Sequence, residues 1–249
     1  EAVVTTAKLI SSYAGTGRTR GPTALLVETS LRALTEVCVT DPSYSVRLAA
    51  LSCLSAQHFE HFLSQAHHLE SLTLLMADEK YEIRLGSLRL LGRLTALNGS
   101  VLQASMRKLL LQLISELRSG HDNRQKEETT HLLCTFMRTS PLQKIVQSFM
   151  PRIVSSLPLH RPRNIDVRLC TAALEALGAA AAVCRESMAP YVHRLLPIIM
   201  LHLQDPTSKL KQEKAINALG KLTSATGSVH VPYLMFPLLL PYLLHMLDR

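Results

Sequence analysis

The sequence predicts an all-α protein, an armadillo-like α-solenoid (superhelix) of about five to six stacked helix pairs. Three observations lead there. A short phrase recurs, as DPSYSVR at 41–47, DEKYEIR at 78–84 and DPTSKLK at 205–211. Each phrase runs into apolar residues at helical spacing. The composition is 47% hydrophobic, rich in Leu and Ala, yet only 4% aromatic and without Trp. Such a mixture favours helix, because β-branched and aromatic residues are the strand formers. A chain of 249 residues is also long enough to bury a substantial core.

In every copy of the phrase, the Asp is followed five positions on by Val46, Ile83 or Leu210, and six positions on by Arg47, Arg84 or Lys211. This reads as a helix start. Asp41 and Asp205 are suited to capping free backbone N–H groups, and Pro42 and Pro206 stand where a missing N–H costs nothing. Beyond Arg47 come Ala50, Leu51 and Leu54; beyond Arg84 come Ser87, Leu88 and Leu91. Spacings of three, four and seven put those side chains on one helical stripe.

Small residues mark the same helix along the chain at Ser55, Gly92, Cys134, Gly178 and Gly220, with steps of 37, 42, 44 and 42 residues. Pro190-Tyr191 and Pro232-Tyr233 are also 42 apart. A two-helix period near 40 is the signature of HEAT repeats, with the three-helix armadillo unit as the poorer fit. The approximate units are 1–57, 58–98, 99–140, 141–185, 186–229 and a partial 230–249. Partner helices fall at 58–76, 101–118, 141–157, 186–204 and 230–248, with Pro151, Pro197 and Pro237 expected to kink three of them.

In such an array each pair must stack on its neighbours to cover its apolar stripe. Gly92, Gly178 and Gly220 are then expected to let helices approach, and a large side chain at one of them to cost about 1–3 kcal/mol. The recurring Asp and Arg/Lys are expected to form an exposed ladder between successive turns, each pair giving about 0–1 kcal/mol.

The net charge of +8 is spread along the chain with no tract of five Lys/Arg, and stacking aromatics are scarce. That pattern argues against nucleic acid as a partner. Five cysteines, an odd number with no CxxC, point to a reducing, cytoplasmic compartment. No apolar run reaches the ~20 residues of a membrane span. The segment 234–247 is short and broken by Pro237 and Pro241, and a following helix is expected to cover its apolar width. Starting at Glu1 and ending on an apolar helix pattern, the chain reads as part of a longer protein.

Chemistry-bearing motifs are sparse. GTGRTRGPT (15–23) lacks the GK[ST] ending of a phosphate loop and reads, like RSGHDNRQK (118–126) and PLHRPRNID (158–166), as an inter-helix loop. His58, His61, His67 and His68 cluster near Cys53 without a second pair at zinc spacing. No GxSxG occurs and the carboxylates are scattered. The reading is therefore no catalytic residue, no metal, no cofactor and no small-molecule substrate in this chain. Recognition falls to the surface, where Arg89, Arg93, Lys214 and Lys221 project away from their apolar stripes as candidates for contacting acidic partner loops.

Several stretches resemble the N-terminal HEAT region of the target of rapamycin (TOR) protein kinases. They are EIRLGSLRLLGRLTALNGSVLQASMRKLLLQLISEL (82–117), DNRQKEETTHLLC (122–134), MAPYVHRLLPIIMLHLQD (188–205) and KAINALGKLTSATGSVHVPYLMFPLLL (214–240). The resemblance runs in order from about residue 33 to the end. Gly99 departs from the family's usual Pro, CRES (184–187) replaces a Gly-rich turn, Ser228 stands at a usual Tyr position, and PLHRPRNID differs in length.

The resemblance implies a noncatalytic scaffold segment of a phosphatidylinositol-kinase-related serine/threonine kinase in nutrient and growth signalling. ATP and Mg would bind the parent's kinase domain, which lies outside this chain. Implied partners are raptor-like or rictor-like subunits and a second TOR copy, in the cytoplasm and peripherally on endomembranes. The alternative is a HEAT-repeat carrier or adaptor, importin-like or translation-linked, binding extended protein partners.

Overall fold

In the computed structural model, residues 2–14, 21–159 and 166–247 are described. Most of GTGRTRGPT and of PLHRPRNID lies outside them. Among the described residues every regular element is helical, with no strand. The fold class is all-α, built of HEAT-type helix pairs. The chain divides into two compact units, residues 1–112 with 139–142, and residues 113–138 with 143–249.

In the first unit, α1 (Ala2–Ala14) packs on α2 (Pro22–Thr40) and α3 (Tyr44–Leu54). A broken helix follows: a 3-10 turn, then α4 (Glu60–Leu63), α5 (Ala66–Leu74) and a second 3-10 turn. Next comes α6 (Tyr81–Leu94), which packs on α3 and α5, while α2 packs on α5. Leu31, Cys38, Ala50, Leu54, Leu69, Leu72 and Leu88 are fully enclosed between these helices. Each buried leucine contributes about 1.5–3 kcal/mol, so the apolar stripe read from the sequence is the main stabilising feature.

Gly99–Ser119 forms α7. The second unit holds α8 (Asn123–Arg138), α9 (Gln143–Ser156), α10 (Val167–Cys184), α11 (Val192–Leu203), α12 (Lys209–Thr226), α13 (Val231–Met235) and α14 (Leu239–Leu247). Here α10 is the hub, packed on α8, α9 and α12. Ala172, Ala173, Ala176, Ala179, Ala180 and Ala181 are all buried in it, and their small side chains admit helices on several sides.

That hub corrects one expectation. Among the described residues, Val167–Leu203 is long and apolar enough to cross a membrane by length and composition. Arg168, Glu175 and Arg185 interrupt it, so it holds no unbroken apolar run of that length. Physically it is a core segment, with 78% of its most apolar window buried inside the protein, and the chain turns sharply at Arg185.

The recurring phrase has a definite geometry. Asp41, Asp78 and Asp205 each accept, through Oδ1, the backbone N–H two residues on, at 2.8, 2.8 and 3.0 Å. They are Asx turns placed before the helix, whose N-cap positions are Ser43, Lys80 and Ser208. Pro42 and Pro206 therefore precede the caps rather than occupying the first helical turn. Asp122 and Asp166 make the same bond, at 3.1 and 3.0 Å, though Asp166 is itself the N-cap of α10.

The ladder itself is not exposed. Arg47 reaches Asp78 with both side chains about 9% accessible. It also donates to the carbonyls of Asp41 and Pro42. Arg84 likewise donates to the carbonyls of Asp78 and Glu79. Lys211 instead bonds the carboxylate of its own corner, Asp205, at 2.6 Å. The basic residue thus locks the turn that starts its own helix, and Arg47 additionally joins two repeats.

The glycines also divide. A Cβ on Gly92 would lie 2.7 Å from Thr139 Cγ2, and one on Gly86 would lie 2.8 Å from Leu51 Cδ2. Both are close-approach positions, and Gly86 was not legible as one. On Gly178 it would press on the flexible Lys221 stem at 3.1 Å and meet the Ala218 Cα at an ordinary 3.7 Å, and on Gly220 nothing within 4 Å. Gly220 is exposed, so its expected packing role is overturned.

Of the internal prolines, Pro151 and Pro197 sit inside α9 and α11. Pro237 does more than bend its helix. It separates α13 from α14, with Phe236 before it at φ −133 and ψ 81, outside the helical region that a following proline disfavours.

Candidate interaction surface

Three helices of the second unit, α8, α10 and α12, share one carboxylate. Glu175 on α10 accepts from Arg138 of α8 at 2.8 Å and from Lys214 of α12 at 3.3 Å. Burial raises the Glu175 pKa, but the Arg138 hydrogen bond and the Lys214 charge outweigh it, so the carboxyl lies below its usual range. One helical turn along α10 comes Gly178, and its missing side chain leaves room for the Lys221 stem. Further along is an open cleft of about 750 Å³ lined by Ala182, Arg185, Glu186, Asn217, Gly220, Lys221, Ser224 and Ala225. The face therefore runs from a triad of two cations on one carboxylate to a cleft with small walls and two more cations at its edge.

Arg185 enters this cleft with φ 47, the sole positive φ at a non-glycine among the described residues. The turn has the backbone of a glycine position, which the CRES stretch fills with a bulky residue. Backbone energetics disfavour that choice.

In the first unit, Arg93 on α6 donates to Glu60 Oε1 at 2.6 Å and to the Ser55 carbonyl at 2.7 Å. Arg89, one turn earlier, is exposed. Of the four candidate cations, then, Arg93 and Lys214 hold internal carboxylates, Lys221 borders the cleft, and Arg89 faces solvent. Within the second unit Lys214 and Lys221 share one face of α12. Arg138, Arg185 and Asn217 join them there, and spacing alone did not mark any of the three.

Apolar surface is concentrated around α13 and the turn into α14, where Leu234 on α13 and Leu238 in the turn are 74% and 80% exposed.

Cys170 Sγ lies 3.3 Å from His202 Nδ1, a pairing that resembles a nucleophile and its base. Burial pushes the Cys170 thiol up to about 11 and lowers the His202 pKa. A thiolate is the reactive form, so this pair is built to stay neutral. His58 Nε2 is engaged with Ser11 at 2.9 Å. Among the described residues no three His, Cys, Asp or Glu side chains converge in a way that could hold a metal.

A family model described as HEAT-like repeat matches residues 167–222, which span α10 to α12. By fold, crystal structures of Kap121p are similar. The form bound to Pho4p aligns with a TM-score of 0.62 at 17% identity, over 84% of this chain and 21% of that one. In sequence, the serine/threonine-protein kinase TOR2 of Saccharomyces cerevisiae is 30% identical over 217 residues, and the kinase TOR of Arabidopsis thaliana is 30% identical over 233. These alignments cover 87% and 92% of the chain. This is a TOR-like HEAT-repeat segment. The mTor kinase of Drosophila melanogaster agrees, at 30% identity over 85% of the TOR-like chain. The chain spans only about 9% of the yeast and plant kinases it resembles.

Proposed function

We propose that this chain is a noncatalytic scaffold segment of a TOR-like serine/threonine kinase acting in nutrient and growth signalling. It assembles the complex and receives partners on the charged face of α10 and α12. The observation that carries the reading is the match to TOR kinases along 87–92% of this chain within only 9% of their length. A HEAT array supports it physically, because stacked helix pairs offer an extended recognition surface without a catalytic pocket.

On this reading the parent's kinase domain binds ATP and Mg, and this segment needs no cofactor. Its partners are raptor-like or rictor-like subunits and a second TOR copy, in the cytoplasm and peripherally on endomembranes. Arg89, Arg93, Lys214 and Lys221 contact acidic partner loops. Sequence identity favours this over the carrier reading, which has fold similarity alone behind it.

The test is co-precipitation from cells with the full-length parent carrying Glu at Arg89 and Lys221, the two candidates that hold no internal carboxylate. Loss of a raptor-like or rictor-like subunit, with the chain's melting temperature unchanged, is the expected result. Retention of both subunits and of the second kinase copy would remove the charged face from the assembly surface.

A further inference from the structure

The second helices of the repeats in the second unit form a surface of their own. Here α10 packs on both α8 and α12, which makes these three one layer. Behind it lie α9, packed on α8 and α10, and α11, packed on α12. His202 near the end of α11 bonds the backbone of Leu159, just beyond α9, so the C-terminal ends of the two helices are neighbours. Equivalent helices of a stacked array run parallel. The exposed residues of α9 and α11 therefore point away from the layer that carries Glu175.

Two features recur on that surface, and the first is charge. Neither α9 nor α11 contains an Asp or Glu. Lys144 and Arg152 are exposed on α9, and Arg194 is exposed on α11. Arg194 follows Arg152 by 42 residues, the same step that separates Gly178 from Gly220. The acids flanking α11 are engaged on other surfaces: Glu186 lines the cleft beside α12, and Asp205 is held by Lys211.

The second feature is an interrupted backbone. Pro151 and Pro197 stand inside α9 and α11, and both are exposed. Proline has no N–H, so the helical bond onto the carbonyl four residues earlier is missing. Those carbonyls belong to Gln147 and His193, exposed residues one turn back on the same side. Each second helix thus offers a carbonyl short of its helical donor and a cation less than one turn away, Lys144 on α9 and Arg194 on α11.

Together these features select an occupant. The carbonyls call for N–H donors and the cations for carboxylates, and an extended acidic peptide carries both on one chain. The phosphates of a lipid surface or a nucleic-acid backbone bring the charge without a regular row of N–H groups. Stacking aromatics, which single-stranded nucleic acid needs, are scarce. Adjacent helices pack roughly 8–10 Å apart and three extended residues span about 10 Å, so acids at every third position match successive helices.

We propose that the solvent face of α9 and α11 docks an extended acidic segment of a partner protein. The segment crosses both helices, with its carboxylates on Lys144, Arg152 and Arg194 and its backbone N–H groups on the Gln147 and His193 carbonyls. This face is separate from the one that carries Glu175, and its test needs no native partner.

The experiment is a fluorescence-anisotropy titration of the 249-residue chain with a labelled peptide of about twelve residues, glutamate at every third position and Ser-Thr between. A second peptide of equal charge has the residues between its glutamates N-methylated. The unmethylated peptide should bind at least about fivefold tighter, because the methylated one cannot donate to the two carbonyls. Pro151→Ala combined with Pro197→Ala restores the missing helical N–H groups. That variant should weaken the unmethylated peptide by a similar factor without lowering the melting temperature. Arg152→Glu combined with Arg194→Glu should weaken it at least about tenfold. Should the charge variant misfold, the two peptides and the proline variant still decide. Equal binding of both peptides, or binding that the proline variant leaves unchanged, would reduce the surface to a general attraction for anions. Tighter binding to phosphatidylserine vesicles or to oligouridylate would make it a lipid or nucleic-acid face, and no binding of the peptide at millimolar concentration would leave it without this occupant. Each of these overturns the proposal. None bears on Arg89 or Lys221, so failure here is distinguishable from failure of the scaffold reading.

Discussion

Arg47 holds Asp78 in a fork, Nε to Oδ2 at 3.0 Å and Nη2 to Oδ1 at 3.2 Å, while Asp78 also accepts the Lys80 backbone N–H. The corner of one repeat is thereby tied to the helix of the one before. Removing the carboxylate strands a nearly enclosed guanidinium and opens the Asx turn at once. Asp78→Ala should lower the melting temperature by roughly 5 °C or more. Glu79→Ala, which removes a 75%-exposed carboxylate 3.9 Å from the same arginine, should leave it nearly unchanged. Thermal unfolding of the two variants side by side makes the comparison.

The glycines give a graded series. Gly92→Ala forces a Cβ to within 2.7 Å of Thr139 and should cost about 1–3 kcal/mol. Gly220→Ala meets open space in the middle of α12 and should stabilise by about 0.5–1 kcal/mol through helix propensity. Denaturant titration will show opposite signs for the pair. Destabilisation by Gly220→Ala would restore a packing role to that position.

Relief of strain is expected at the turn after α10. Arg185→Gly should raise stability by about 1 kcal/mol, since glycine adopts φ 47 without penalty but loses more entropy on folding. Calorimetry is sufficient to detect it.

Acid should weaken the fold in two stages. His68 and His202 are neutral in the folded chain, with pKa values lowered chiefly by burial. Between about pH 6.5 and 4 the unfolded chain takes up protons that the folded chain refuses, so stability falls as pH falls through that window. Asp205 acts lower down. Hydrogen bonds from Lys211 and Thr207 depress its pKa, so its contribution is present above about pH 4 and is lost only below that. Melting temperatures measured from pH 7.5 to 4.5 should hold nearly level to about pH 6.5 and decline below it, and His68→Phe should flatten that lower slope if the variant folds.

Thiol chemistry offers a check on burial. Cys38 is pushed up to about 12, and Cys170 and Cys184 to about 11, by burial. Cys53 alone of the five is partly exposed. Iodoacetamide at pH 8 should modify Cys53 first, with the other four at least about tenfold slower until denaturant is added. Mass spectrometry of early time points reads the order.

Most of the fold was legible because the helix-start phrase and the apolar stripe are both local patterns. Asp122 and Asp166 escaped notice since Glu128 and Ala172 stand where the other corners have a basic residue. Gly178 and Gly220 look equivalent at a 42-residue spacing, but only one of them faces a neighbour. Spacing fixes a position along a helix and leaves open what lies opposite. The same limit hid the partners of Arg93 and Lys214, whose carboxylates lie 33 and 39 residues away.

The double engagement of Glu175 makes recognition on that face a competition. An acidic visitor must pull Arg138 or Lys214 away from the carboxylate that already holds them, and the carboxylate left behind then repels the visitor. Weakly charged intruders would be turned away by this arrangement, while a strand bearing several acids in register could displace both cations together.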